Sequence, residues 1–137
     1  MNIKYKYIKV NDWTKVPKEG AFEAEWSSGN KEWWLNGQQH RIDGPAIEYA
    51  NGHKEWWLNG QQHRIDGPAI ECASGDKAWY LNGKQHRIDG PAVEYASGAK
   101  AWWLNGKCYL TEKEYWLALL KHELISKEEA FERCLSL

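Results

Sequence analysis

Short stretches of alternating apolar and polar residues fill most of this chain, and glycine-containing steps separate them. Residues 46–64, "AIEYANGHKEWWLNGQQHR", contain two Asn-Gly dipeptides flanked by apolar and aromatic residues. Alternation with a period of two is typical of β-strands, and Asn-Gly suits the positive φ angles of a type I′ hairpin turn. The pattern therefore predicts β-hairpins. The "DGP" step after each hairpin predicts a bend, where the missing N–H of proline is tolerated.

The hairpin pattern returns every 23 residues. The first tryptophan of each aromatic pair recurs at Trp33, Trp56, Trp79 and Trp102, and an Asn-Gly dipeptide follows each of them. Because terminal repeats that depart from the shared pattern are expected to cap a stack, the irregular start of the first repeat and end of the last one fit this scheme. The predicted organisation is an N-terminal β segment (1–19), four repeats (20–42, 43–65, 66–88 and 89–111) and a C-terminal helical segment (112–137).

A mainly β fold follows from these repeats. One hairpin buries little apolar surface, so we expect the four 23-residue hairpins to join one elongated antiparallel sheet, about 40 Å long at about 4.8 Å per strand. After residue 111 the pattern becomes helical, and two Ser/Thr-x-x-Glu spacings predict the starts of two helices. These helices are expected to cap the last edge or one face of the sheet. The residues placed on their packing faces are Trp116, Leu120 and Leu124, then Ala130, Phe131 and Cys134.

Composition and charge narrow the classes of partner. The chain has 18 basic and 19 acidic residues, a net charge of −1, so it offers no field that would attract nucleic acid or an anionic membrane. The first ten residues are too polar for a secretory signal or a membrane span, and a cytoplasmic location is expected, the host cytoplasm for a viral protein. Three widely spaced cysteines predict neither a disulfide framework nor a zinc ribbon.

Three copies of "HRIDGPA" begin at His40, His63 and His86 and bring together residue types that catalysis and metal binding use. Equivalent histidines in successive hairpins are expected about 9.6 Å apart, whereas a zinc–histidine bond is about 2.0–2.1 Å. No serine or cysteine recurs beside the histidine. We therefore predict no catalytic residue, no metal, no cofactor and no enzyme activity. Strand alternation would place His40 with Ile42 and Arg41 with Asp43, and the latter two suggest ion pairing along the stack.

The tandem tryptophans are the main functional clue. By alternation Trp33 shares a face with Leu35, a core position, and Trp34 shares one with Glu32, an amphipathic position. A sheet with aromatic rows on both faces must curl, dimerise or be covered. The second row is interpreted either as cross-strand packing or as a binding surface, rimmed by arginines if the faces register. The residues of that predicted surface are Trp34, Trp57, Tyr80, Trp103, Arg41, Arg64 and Arg87.

The pattern "YxNGxKEWWLNGxxHRxDGPA" resembles the variant MORN repeat, and the resemblance covers residues 20–111. Typical MORN repeats carry "HGxG" where this chain has "HRIDGP", so it is similar to a divergent branch found in phages, giant viruses and bacteria. The resemblance implies a β-hairpin repeat fold and a scaffold rather than an enzyme, in a family also linked to phospholipids. We expect a non-enzymatic protein-binding module, an accessory protein that blocks or sequesters a host factor.

Two alternatives remain open at this point. A nucleotide or another small planar ligand would stack on the second aromatic row, with arginine contacting phosphate. Alternatively, two copies of the chain would pair through the aromatic face and form a homodimer. Both alternatives use the same residues as the predicted protein-binding surface.

Overall fold

The structure is a computed structural model and describes residues 2–137. It is mainly β, with one large sheet, two separate two-stranded sheets and two C-terminal helices. The strands are β1 (Lys6–Val10), β2 (Ala21–Trp26), β3 (Lys31–Leu35), β4 (Gln38–Gln39), β5 (Ile47–Glu48), β6 (Lys54–Glu55), β7 (Trp57–Leu58), β8 (Gln61–Gln62), β9 (Ile70–Glu71), β10 (Lys77–Ala78), β11 (Tyr80–Leu81), β12 (Lys84–Gln85), β13 (Val93–Glu94), β14 (Lys100–Leu104) and β15 (Lys107–Tyr109).

The large sheet is mixed rather than purely antiparallel. Its order is β1-β2-β3-β5-β6-β9-β10-β13-β14-β15, with β4 beside β3. From β2 onward every pair is antiparallel, as predicted, but β1 runs parallel to β2. A parallel pair needs a crossover instead of a tight turn, and here the crossover contains a 3-10 helix, Trp13–Lys15. The pairing predicted for residues 20–111 is therefore antiparallel, as expected, and the predicted N-terminal β segment adds one parallel strand at the edge.

The strands are interrupted at Trp56 and Trp79, and this divides the β structure into two ladders. The backbone N–H of Trp56 donates to the carbonyl of Ala69, next to β9 of the large sheet, whereas the carbonyl of Trp56 accepts from His63, next to β8 of the hairpin β7-β8. Successive hairpins are also joined to each other, because the backbone N–H of Gly60 donates to the carbonyl of Gln39 in the preceding hairpin. Trp79 has the same two roles 23 residues later. Each first tryptophan thus stands where the chain passes from one ladder to the other.

The two Asn-Gly dipeptides of residues 46–64 form different turns. Asn59 and Gly60 have φ angles of 50° and 75°, the type I′ conformation that the sequence predicts. Around Gly52 only the glycine has a positive φ, and its N–H donates to the carbonyl of Tyr49. That geometry is a type I turn followed by a glycine bulge. Because Asn51 needs no positive φ there, serine serves at the equivalent positions Ser74 and Ser97.

The C-terminal helices are α1 (Glu112–Lys121) and α2 (Lys127–Leu135), and both begin where predicted. The Thr111 hydroxyl accepts the backbone N–H of Glu114, and the Ser126 hydroxyl accepts that of Glu129. Their predicted packing faces are partly wrong: Leu124 lies beyond the end of α1, and both Leu124 and Phe131 are exposed. None of the helices within residues 2–137 is long and apolar enough to cross a membrane.

The helical segment covers the last long strand, in agreement with the predicted cap. Tyr115, Trp116 and Leu119 of α1 are buried against Trp102 and Leu104 of β14, and these five residues form the main hydrophobic cluster. The Tyr115 hydroxyl donates to the Arg87 carbonyl at 2.5 Å. This hydrogen bond joins α1 to the loop at Arg87, in addition to the packing of α1 on β14.

Candidate functional site

Each arginine of the "HRIDGPA" segments lies on a tryptophan ring. The Arg41 guanidinium carbon is 3.8 Å from the ring centroid of Trp33, and its Nε donates to Asp43 at 3.0 Å. Its Nη1 donates to the Pro45 carbonyl at 3.1 Å and lies 3.5 Å from the Glu48 carboxylate.

The same contacts recur for Arg64 on Trp56 and Arg87 on Trp79, where the guanidinium carbon is 3.9 Å from the ring centroid in both cases. The arginines are therefore held by stacking and ion pairing within the chain.

The glycine of each "DGP" step allows this close approach. A Cβ placed on Gly44 would lie 3.0 Å from the Arg41 guanidinium carbon, and Gly67 and Gly90 stand in the same relation to Arg64 and Arg87. These glycines do not have positive φ angles, so the space beside the arginine is what requires them. A side chain there would push the guanidinium off the indole.

The histidines join one hairpin to the next. Nδ1 of His40 accepts the backbone N–H of Asn59, at the Asn-Gly turn 19 residues further along, at 3.0 Å. His63 and His86 make the same bond to Asn82 and Asn105. Burial lowers the pKa of His40 and of His86. A proton on Nδ1 would remove the acceptor of the turn N–H, so the neutral ring suits this position.

Strand alternation fails in the "HRID" segment. His40 is buried with 7% exposure, whereas Ile42, predicted on the same side, is 65% exposed. Residues 40–45 are not in a strand, and the chain bends there, so the period of two does not apply. The predicted pairing of Arg41 with Asp43 is observed at 3.0 Å.

The structure separates the two halves of the predicted binding surface. The guanidinium groups of Arg41, Arg64 and Arg87 lie over the first aromatic row, which we define as Trp33, Trp56, Trp79 and Trp102. The second aromatic row consists of Trp34, Trp57, Tyr80 and Trp103, and none of the eight rings is exposed. The arginines do not rim the second row because each folds back onto the tryptophan eight positions before it, where Asp and Glu anchor it.

The second aromatic row is anchored unevenly. The Trp34 indole N–H donates to Glu32 at 3.0 Å, and the Trp57 indole N–H donates to Glu55 at 2.9 Å. In the second half of the chain Ala78 and Ala101 replace these glutamates. The indole N–H of Trp103 is consequently buried with no hydrogen-bond partner in the described chain.

A cavity of about 1090 Å³ adjoins the start of the second aromatic row. Three tryptophans line it: Trp13 from the 3-10 helix, Trp26 from β2 and Trp34 from β3, together with the half-buried Glu32. Burial raises the pKa of Glu32, although the Trp34 indole N–H opposes the shift. We call this the tryptophan cavity. The sequence did not predict this cavity because Trp13 and Trp26 lie outside the 23-residue pattern. The available signal in the sequence was that both tryptophans precede the first aromatic pair.

A second feature that sequence reasoning missed is a row of exposed isoleucines, Ile42, Ile65 and Ile88. Two similar grooves lie between their segments, of about 640 Å³ and 650 Å³. Exposed aspartates flank this isoleucine row. The signal in the sequence was an isoleucine that recurs between an arginine and an aspartate. A buried strand does not require charged residues on both sides of an isoleucine.

Among residues 2–137, no group of three His, Cys, Asp or Glu side chains is placed to hold a metal ion. No family model and no curated protein matches this chain.

Proposed function

We propose that the chain is a non-enzymatic protein-binding module, built from four MORN-like hairpin repeats of 23 residues between positions 20 and 111. The observation that carries the proposal is the isoleucine row: Ile42, Ile65 and Ile88 are exposed at one position of the repeat, and Ile65 is 86% exposed. Isoleucine is usually buried, and a regular line of exposed ones supports a role as an interaction surface.

The charge beside the isoleucine row favours a basic partner. The Asp66 side chain is 85% exposed, whereas Arg64 beneath it is only 21% exposed and is packed on Trp56. Glu71 stands directly across the strands from Lys54 and Lys77, which offset its charge. The aspartates are therefore the charges that this surface presents, and lysine or arginine on a partner would complement them.

The spacing of the grooves favours a helical partner. Each repeat contributes two strands to the large sheet, so successive grooves are about 9.6 Å apart. Residues seven apart on an α-helix are separated by about 10.5 Å along its axis and lie on one face. A helix with an aliphatic residue at every seventh position and lysines beside it fits the isoleucine row best, in the manner of a helix laid in a groove.

Two synthetic helical peptides would test this proposal. Both carry leucine at every seventh position, one flanked by lysines and the other by glutamates, and binding to the full chain is followed by fluorescence anisotropy. We expect the lysine peptide to bind, more weakly at high salt, and the glutamate peptide not to bind. Equal binding of both peptides, or of neither, would refute the proposed partner chemistry.

A matched pair of variants assigns the surface. Ile65→Ser should abolish binding of the lysine peptide, whereas Phe131→Ser, which removes another exposed apolar side chain on α2, should leave it unchanged. If both variants bind as the parent chain does, the isoleucine row is not the binding surface. Light scattering on the same samples detects a homodimer, the competing use of an apolar face.

The resemblance to MORN-like proteins extends the proposal to a cytoplasmic accessory protein that blocks or sequesters a host factor. A nucleotide stacked on the second aromatic row is less well supported, since Arg41, Arg64 and Arg87 lie over the first row and are already engaged by carboxylates. The tryptophan cavity is the better place for a small ligand.

A further inference from the structure

We propose that the tryptophan cavity binds an alkylated organic ammonium group, such as that of choline or of a methylated lysine side chain. Trp13, Trp26 and Trp34 line the cavity with Glu32. Several aromatic rings around one carboxylate form the arrangement that recognises quaternary and methylated ammonium groups. This site is separate from the isoleucine row and does not depend on the protein-binding proposal.

The carboxylate of Glu32 is half-buried and lacks a cationic partner. The Trp34 indole donates to it at 3.0 Å, and in the described chain it makes no ion pair within 4.0 Å. Burying a carboxylate costs free energy unless an opposite charge or several donors compensate it. The cavity beside Glu32 leaves room for such a charge from outside.

The glutamate one repeat later shows what Glu32 is missing. Glu55 accepts the Trp57 indole N–H at 2.9 Å and also contacts His53 Nε2 at 2.9 Å. The position equivalent to His53 is Asn30, whose side-chain oxygen accepts the backbone N–H of Ala50. The chain thus places a histidine beside Glu55 and none beside Glu32, whose partner, the Trp34 indole, is neutral.

The lining of the cavity decides which kind of cation fits. Calcium takes about six to eight oxygen ligands and favours carboxylates, whereas Glu32 is the one carboxylate of this lining, whose other polar side chains are neutral apart from Lys18. An alkylated ammonium instead gains from aromatic faces through cation–π attraction and from burial of its methyl groups. Lys18 also lines the cavity and is exposed, and its positive charge disfavours a second cation nearby.

Titration of the full chain with choline and with its neutral isostere 3,3-dimethylbutanol tests the proposal. Binding is followed by tryptophan fluorescence and calorimetry, with an acetylated trimethyllysine amide as a second probe. Choline and the trimethyllysine amide should bind saturably, and the neutral isostere should bind at least about tenfold more weakly. Equal affinity for choline and the isostere, or no saturable binding of any probe, would overturn the proposal.

Matched variants locate the site. Glu32→Gln should weaken choline binding about tenfold or more, whereas Glu55→Gln, at the equivalent position one repeat later, should leave it unchanged. Trp13→Ala, at a residue that is 75% exposed, should also weaken binding without unfolding the chain, which circular dichroism verifies. Lys18→Gln should tighten binding. If Glu32→Gln and Glu55→Gln behave alike, Glu32 does not bind the cation. The lysine peptide binds elsewhere, so either proposal can fail alone.

Discussion

The two aromatic rows are held in different ways. Every ring of the first row has a group of the same chain against it: Arg41 on Trp33, and Tyr115 beside Trp102 at a centroid distance of 4.8 Å. The second row is anchored through indole N–H groups, and only where a glutamate stands two residues earlier. Every ring of the first row is thus covered, whereas the anchoring of the second row varies along the chain. A polar group beside the second row that lacks a full set of partners is where a ligand can gain binding energy.

The end of the first row shows how the chain replaces one type of cover with another. The residue 23 positions after Arg87 is Leu110, which is 91% exposed and covers nothing. Helix α1 brings Tyr115 to Trp102 instead, and Trp116 lies 6.0 Å from the same ring. An aromatic residue on a helix therefore closes the stack where the arginine is missing.

The largest effect is expected from Tyr115→Ala. Tyr115 is fully buried, and its loss removes the ring against Trp102 and two hydrogen bonds. The free energy of unfolding should therefore fall by about 3–5 kcal/mol. Urea denaturation measures this change. Leu117→Ala, at an exposed position on the same helix, is the control and should change stability little. Similar losses for both variants would show that the cap is not held by this contact.

Arg64→Met should cost about 2 kcal/mol, because it removes the stacking on Trp56 and the donors to Pro68 and Glu71. Methionine retains much of the aliphatic packing, so the loss in free energy of unfolding measures the contribution of the guanidinium group. The comparison variant, Lys84→Met, removes an exposed charge and should be nearly neutral in the same urea titration. A neutral Arg64→Met would mean that the first row does not need its cationic cover.

Stability should fall as the pH drops below about 6.5, the ordinary pKa of histidine. Burial lowers the pKa of His40 and His86 in the folded chain, so the unfolded chain binds more protons in the window below 6.5 and above the folded values. Stability therefore rises with pH across that window and is lost on acidification. The double variant His40→Gln, His86→Gln should show a shallower dependence; an unchanged slope would assign the effect to other groups.

The smallest effect is a gain of about 0.5–1 kcal/mol for Ala101→Glu. A glutamate at this position would accept the buried indole N–H of Trp103, as Glu32 and Glu55 do for their tryptophans. Ala78→Glu is the matched variant, and it should not stabilise the chain because Tyr80 has no indole N–H. Thermal unfolding compares the two, and an equal gain in both would contradict the role given to the orphan N–H.

Much of the backbone was predictable because the responsible interactions are local. Asn59 and Gly60 adopt the type I′ conformation that their dipeptide favours, and Thr111 and Ser126 cap helices within three residues of themselves. The candidate sites were less predictable. The exposure of Ile42 depends on a bend that ends the strand pattern, and the tryptophan cavity depends on Trp13, which the parallel strand β1 and its crossover bring to the sheet.

By itself the sequence determined the 23-residue period, the positions of the turns and the starts of the helices, since each follows from residues a few positions apart. Only the tertiary structure decided which aromatic row the arginines cover, which glutamate is left without a cation and which apolar side chains face solvent. Those outcomes depend on contacts between hairpins, such as His40 with Asn59, and on the bend of each "DGP" step. A pattern of alternation cannot specify them once the strand is broken.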